Sequence, residues 1–162
     1  MKKLPILFAV LFVALVLVMS SLFIVDERQK ALVLQFGQIK SVKEEPGLAF
    51  KLPFIQEVVY YDDRILSLET PEIEVTPSDD RRLLVDAFAR YRISDVVRFR
   101  QAVSTGGIAL AEDRLQGILN AQVREVLGSD SVTSSTILSD DRAELMERIR
   151  DSARVRALSL GV

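Results

Sequence analysis

The sequence predicts an α+β fold behind an N-terminal transmembrane helix, with a mainly antiparallel sheet and helices packed on it. Three observations lead there. Residues 4–25 (LPILFAVLFVALVLVMSSLFIV) carry no charge, and 19 of these 22 residues are apolar. Residues 31–93 hold short apolar runs, several of them alternating, divided by Gly and Pro, as strands are. Residues 95–160 change to apolar spacings of three and four, the mark of amphipathic helices. Strands first and helices afterwards is the order of an α+β domain.

The first element is the apolar run. As a helix its 22 residues extend about 33 Å, against a hydrocarbon core of about 30 Å. Sixteen of them are Leu, Ile, Phe or Val, which favour insertion by about 5–10 kcal/mol before Pro5, Ser20 and Ser21 are counted. Leu4, Leu7, Leu11, Leu15, Val18, Leu22 and Val25 are its representative membrane-anchor residues. A cleaved signal has a shorter apolar stretch followed by small residues; here Ser20 and Ser21 are followed by Leu-Phe-Ile-Val. Lys2 and Lys3 flank one end and Asp26-Glu27-Arg28 the other. The positive-inside bias therefore puts residues 1–3 in the cytoplasm, 4–25 in the membrane, and 26–162 across it. In a bacterium that is a single-pass protein of the inner membrane with a periplasmic domain.

The strands follow in order. Residues 31–36 (ALVLQF) form one, ended by Gly37, and Glu45-Pro46-Gly47 is a turn. Leu48, Phe50, Leu52 and Phe54 alternate beyond it until Pro53 breaks the pattern. Residues 57–62 and 65–70 are two short strands. The clearest strand is 83–93 (LLVDAFARYRI), with Val85, Ala87, Ala89, Tyr91 and Ile93 on the buried face.

The helices come next. Ser94 or Asp95 caps a short helix over 95–103, and Ser104–Gly107 is a loop. Residues 108–127 are a helix with Ile108, Ala111, Leu115, Ile118, Leu119, Val123 and Val126 as its stripe and Gly128 as its stop. Residues 129–138 are a polar connection. A last helix starts near Asp141, with Glu144 completing a capping box; Leu145, Ile149, Ala153 and Leu160 form its stripe and Gly161 stops it. Its outer face carries Arg142, Glu144, Glu147, Arg148, Arg150, Asp151 and Arg154, with Glu144–Arg148 and Asp151–Arg154 spaced to pair. Val162 follows a helix stop as though a strand were beginning, so the chain reads as the first part of a longer protein.

The chain has neither Cys nor His. That excludes thiol nucleophiles, Ser-His-Asp triads, Cys/His zinc sites and disulfides. A net charge of −2 gives no basic surface for nucleic acid. Three Asp-Asp-Arg triplets, at 62–64, 79–81 and 140–142, have the chemistry of paired carboxylates, but each sits at an element boundary and reads as a turn or cap. Gly106-Gly107 lacks the Lys of a phosphate loop. For a Ser/Lys pair, Lys30, Lys40, Lys43 and Lys51 are the lysines outside the N-terminus, and none has an apolar setting that would lower its pKa. No catalytic, cofactor or metal residue is assigned; a membrane-tethered hydrolase using carboxylates or a Ser/Lys pair is the alternative to a scaffold. Leu48, Phe50, Leu52, Phe54 and Ile55 are denser than a small sheet needs, and are either core or a surface against membrane or a neighbouring subunit.

Several segments carry a resemblance. Val25-Asp26-Glu27-Arg28-Gln29-Lys30-Ala31 follows the apolar run, then Leu34-Gln35-Phe36-Gly37. Next are Glu45-Pro46-Gly47-Leu48-Ala49-Phe50-Lys51-Leu52-Pro53-Phe54, Tyr61-Asp62-Asp63-Arg64, and Leu84-Val85-Asp86 leading to Tyr91-Arg92-Ile93-Ser94-Asp95. In this order and spacing the chain resembles the SPFH (band 7, prohibitin-homology) family over essentially its whole length. The resemblance implies a non-enzymatic membrane scaffold without cofactor. Its implied partners are an HflK-like SPFH subunit, in a hetero-oligomeric ring or cage, and an FtsH-like membrane AAA protease whose turnover of membrane proteins it modulates. Family members continue past the position of Val162 with a strand and a long charged helix.

Overall fold

The computed structural model describes residues 3–104 and 106–162, and side chains from Leu11 onward except that of Thr105. The chain folds as two compact units, Met1–Arg64 and Ile65–Val162.

The first unit begins with helix α1 (Lys3–Ser21) and strand β1 (Leu22–Val25), followed by β2 (Gln29–Gln35), β3 (Gln38–Lys43), β4 (Gly47–Phe50) and β5 (Gln56–Asp62). β3–β2–β5 is a three-stranded antiparallel sheet, and β1 and β4 form a separate antiparallel ribbon. β2 is the middle strand, and its run Ala31–Leu34 is buried residue by residue; a strand covered on both faces loses the usual alternation. Phe23, Val25, Ala31, Val33 and Ala49 make the core, with Val58 against it.

The expected helix of 4–25 is shorter at its end. α1 stops at Ser21, and Leu22 and Val25, assigned to the membrane anchor from the sequence, belong to β1. Two contacts fix the change. The Ser21 hydroxyl donates to the Leu17 carbonyl, and the Ser21 carbonyl accepts from the Lys51 amide at 2.8 Å. From there Leu22 pairs with Phe50 and Val25 with Gly47. The β-branched Ile24 and Val25 suit a strand once a partner strand is present. Among the described residues no helix is long and apolar enough to cross a membrane.

The second unit contains β6 (Leu66–Glu69), β7 (Ile73–Val75), β8 (Leu83–Val85), β9 (Phe88–Tyr91), α2 (Val96–Val103), α3 (Gly107–Leu127), α4 (Ser134–Leu138), α5 (Arg142–Ala157) and a 3-10 turn Leu158–Leu160. β6 pairs with β9 and β7 with β8, both antiparallel. The α+β expectation holds, but among the described residues the strands form four small antiparallel sheets rather than one.

The long strand expected over 83–93 is divided between β8 and β9. Pro71 has no amide to donate, so the partner strand breaks there. The gap is filled by Thr70: its amide and hydroxyl donate to the Ala87 carbonyl at 2.8 and 3.0 Å, and its hydroxyl accepts from the Ala87 amide at 3.1 Å. The inward face predicted for this segment is kept: Tyr91 and Ile93 are buried, and Val85, Ala87 and Ala89 half-buried. Thr70→Val keeps the shape but orphans the Ala87 amide, and is expected to cost about 1–3 kcal/mol. Thr70→Ser should recover most of it, with denaturation midpoints as the measure.

α3 lays Val123, Val126 and Leu127 against Ile73, Val75, Leu145 and Ile149. Asp95 caps α2, accepting from Val97 and Arg98 amides at 2.9 and 3.0 Å. Two local expectations at α5 fail. Asp141 adopts helical backbone angles and makes no side-chain cap bond; its carboxylate faces the Ser139 hydroxyl at 3.4 Å. The ion pairs of α5 also run elsewhere, from Arg150 to Glu147 and Asp151 rather than Glu144–Arg148 and Asp151–Arg154. α4 forms inside the stretch expected to be only a connection, capped by the Thr133 hydroxyl.

Candidate functional site

Strand direction sorts the loops of the first unit into two ends. Starting at Ser21, β1 runs away from α1, β2 returns, β3 runs out, β4 returns and β5 runs out. The turn at Phe36-Gly37 and the segment 51–55 therefore lie at the end where α1 stops. A chain of hydrogen bonds ties that end together. The Lys51 amide donates to Ser21, the Leu52 amide to the Gln56 side chain at 2.8 Å, and the Gln56 amide group to the Gln35 side chain at 3.4 Å. Gln35 and Gln56 are also register partners.

The two ends differ in chemistry. The far end holds Asp26-Glu27-Arg28, Lys43-Glu44-Glu45 and Asp62-Asp63-Arg64. At the α1 end, residues 35–38 and 50–56 (QFGQ and FKLPFIQ) contain one ionisable side chain, Lys51. Leu48, Phe50, Leu52, Phe54 and Ile55, the candidates singled out from the sequence, are all exposed. The β1–β4 register explains Leu48 and Phe50. Phe23, Val25 and Ala49 turn inward, so Ile24 and Leu48, which face each other, turn outward with Phe50.

Two further exposed residues were not among those candidates: Phe36, and Ile24, which the sequence placed in the apolar run 4–25. Phe36 is 85 % exposed and Phe54 92 %. Both have left-handed backbone, φ 51° and 66°, a conformation unfavourable for a residue with a Cβ. With Gly37 at φ 79°, Phe36 occupies a two-residue hairpin turn whose positions favour Asn-Gly. An aromatic residue at the first of them is the signal that was available in Phe36-Gly37. Of the anchor candidates, Leu11, Leu15 and Val18 are exposed on α1, while the side chains of Leu4 and Leu7 lie outside the described residues.

The carboxylate pairs have structural partners. Asp62 binds the Arg64 guanidinium at 2.6 Å, which holds its carboxyl below the usual range, and Asp63 pairs with Lys30 at 3.0 Å. Asp79 accepts from both the hydroxyl and the amide of Ser134, at the start of α4, and is likewise lowered. Asp141 precedes α5. Among the described residues no group of acidic side chains is arranged to hold a metal ion. Gly106 and Gly107 lead into α3 without a side-chain cap.

One further titratable group is perturbed. Burial, reinforced by the Glu112 carboxylate to which its hydroxyl donates at 3.1 Å, pushes the Tyr91 phenol up to about 12. A phenol that stays protonated in the folded state favours folding fully below its ordinary pKa of about 10, and that contribution is lost as pH rises toward 12. Phenolate absorbance should show a late step that Tyr91→Phe removes.

Comparison with known proteins agrees with the segments noted above. The chain is 31 % identical over 150 residues to "Modulator of FtsH protease HflC" of Escherichia coli K12, covering 89 % of this chain and 44 % of that protein. It is 33 % identical over 161 residues to "Protein HflC" of Haemophilus influenzae, covering 96 % and 52 %. It is 31 % identical over 147 residues to "Protein HflC" of Buchnera aphidicola from Acyrthosiphon pisum, covering 87 % and 47 %. The chain thus spans about half the length of the curated relatives it matches. The SPFH domain / Band 7 family model matches residues 23–162, from β1 to the last residue, and the chain belongs to that family.

Proposed function

We propose that the chain is the membrane-proximal part of a non-enzymatic scaffold that modulates an FtsH-like membrane AAA protease together with an HflK-like partner subunit. The carrying observation is the apolar end of the first unit. Its exposed Phe50, Leu52, Phe54 and Ile55 surround Lys51, whose amide is bonded to the last residue of α1, and Leu48 is exposed on the same face of β4 as Phe50. A surface of that kind marks contact with membrane or partner. In this reading α1 is a single-pass anchor, residues 1–3 are cytoplasmic, and the domain stands outside the bacterial inner membrane. Eighteen uncharged residues, 4–21, make about 27 Å of helix, close to the hydrocarbon thickness.

The relatives' name supports the link to the protease. The placement of the acids supports a scaffold over a hydrolase: Asp62, Asp63 and Asp79 are bound to Arg64, Lys30 and Ser134. A carboxylate fixed in such a pair is a poor general base.

Two measurements test this reading. A reporter active only outside the cytoplasm, fused after Arg64, should be active, and Glu at positions 2 and 3 should weaken the bias. A full-length protein with its SPFH partner should run as a large complex in mild detergent and retain the protease on affinity capture. A species that stays monomeric with the partner present would falsify the scaffold.

A further inference from the structure

We propose that the α1 end of the first unit carries a seat for the phosphate of an anionic phospholipid, with Lys51 as its cation and Phe36 and Phe54 as its apolar walls. The proposal rests on the reading of α1 as a membrane anchor and assigns a lipid class to the surface beside it.

Position comes first. The Lys51 amide is bonded to the carbonyl of the last residue of α1, so this residue stays at the height where the helix leaves the hydrocarbon. Lys51 is half-buried as a residue and lines a shallow groove with Leu34, Phe36, Phe54, Ile55 and Glu57. Among the described residues no carboxylate forms an ion pair with it. Lys40 and Lys43, the two lysines of β3, are on the strand leading to the charged end.

The chemistry follows from that position. Phe36 and Phe54 are held outward by left-handed backbone on two separate turns, and strain of this kind persists where the surrounding structure imposes it. Apolar side chains at a bilayer surface are drawn into it. A lysine among them extends its aliphatic stem along the apolar wall and keeps its ammonium at headgroup level. The anion found at that level is the lipid phosphodiester. In phosphatidylcholine it already has the choline cation of its own headgroup, whereas in phosphatidylglycerol it has none. A single ammonium therefore favours the anionic lipid.

The chain contains no Trp, so Phe54→Trp gives one reporter at the wall of the groove. The full chain is reconstituted in phosphatidylcholine vesicles containing an equal fraction of acyl-brominated phosphatidylcholine or acyl-brominated phosphatidylglycerol. The brominated phosphatidylglycerol should quench as though enriched about three- to fivefold, the effect of one basic residue at an anionic surface. Lys51→Gln should bring the two lipids level while leaving quenching itself intact. High salt should reduce the preference, and inorganic phosphate at millimolar level should leave it unchanged. Equal quenching with Lys51 present, or a preference that survives Lys51→Gln, overturns the proposal; displacement by inorganic phosphate overturns its assignment to lipid. Absence of quenching by either lipid instead overturns the membrane-facing reading beneath it. Phe36→Trp repeats the measurement from the opposite wall and guards against an effect of the reporter.

Discussion

Gly161→Ala is expected to unfold the second unit or lower its stability by about 3–5 kcal/mol, the range of backbone strain combined with steric overlap. Gly161 has φ +80°, and an added Cβ would lie 2.5 Å from the Asp95 carbonyl oxygen, 2.7 Å from the Phe99 amide nitrogen and 3.1 Å from Arg98 Cβ. Two of these are backbone atoms of the start of α2 and have nowhere to move. The Gly161 carbonyl also accepts from the Ser94 and Asp95 amides at 2.9 and 3.0 Å, so a shift that relieves the overlap breaks the contact holding the last turn to α2. Gly37→Ala is the control: φ is +79° there, but nothing lies within 4 Å of the added carbon. It should cost only about 1–2 kcal/mol, the conformational share. Chemical denaturation followed by circular dichroism separates them; equal losses would show that crowding against α2 contributes nothing.

The pair Phe36→Gly and Phe54→Gly should move stability and membrane contact in opposite directions. Both residues have positive φ and are almost fully exposed, so glycine relieves backbone strain and removes little packing. After the extra freedom of the unfolded chain is counted, each change should be neutral or stabilising by up to about 1 kcal/mol in detergent. In a bilayer each lost ring removes about 1.5–3 kcal/mol of apolar burial. The chain has no Cys, so Ile55→Cys supplies a single thiol in the groove that both rings line. In vesicles a membrane-impermeant maleimide should label this thiol slowly, and about tenfold faster when both phenylalanines are replaced, as loss of roughly 1.4 kcal/mol or more of contact requires. Unchanged labelling would deny the two rings a place in the bilayer. Loss of stability in detergent would instead mean that they pack on the protein.

Period and punctuation made part of this structure legible. Runs of apolar residues at three and four gave α2 and α3 almost to the residue, with Asp95 and Gly128 at their ends. β5 and β6 were equally plain between Pro53, Asp63 and Pro71. The failures came where a partner distant in sequence decided the outcome. Leu22–Val25 read as more hydrocarbon because only β4, more than twenty residues on, turns it into a strand. β3 (QIKSVK) and β7 (IEV) are too mixed or too short to show a period by themselves. The break between β8 and β9 depends on the Thr70 hydroxyl, and no pattern within 83–93 reports it. At the apolar end, density along the chain found 48–55. Phe36 and Ile24 join it only through strand register, which local sequence does not carry.

No residue intervenes between α1 and β1: the helix ends at Ser21 and the strand begins at Leu22. A flexible tether would let each copy swivel and rise, and every contact between neighbours would first have to overcome that freedom. Here the Lys51–Ser21 bond clamps the junction from the side as well. On the proposed reading of α1 as an anchor, tilt of the helix in a bilayer would become tilt of the first unit, and every copy would present its surfaces at one height. Much of the orientational entropy lost on association is then lost at insertion, before any neighbour arrives. In the proposed scaffold, weak lateral contacts repeated in the plane would then be sufficient to hold an array, and a bilayer thick or thin enough to tilt the helix would loosen it from below.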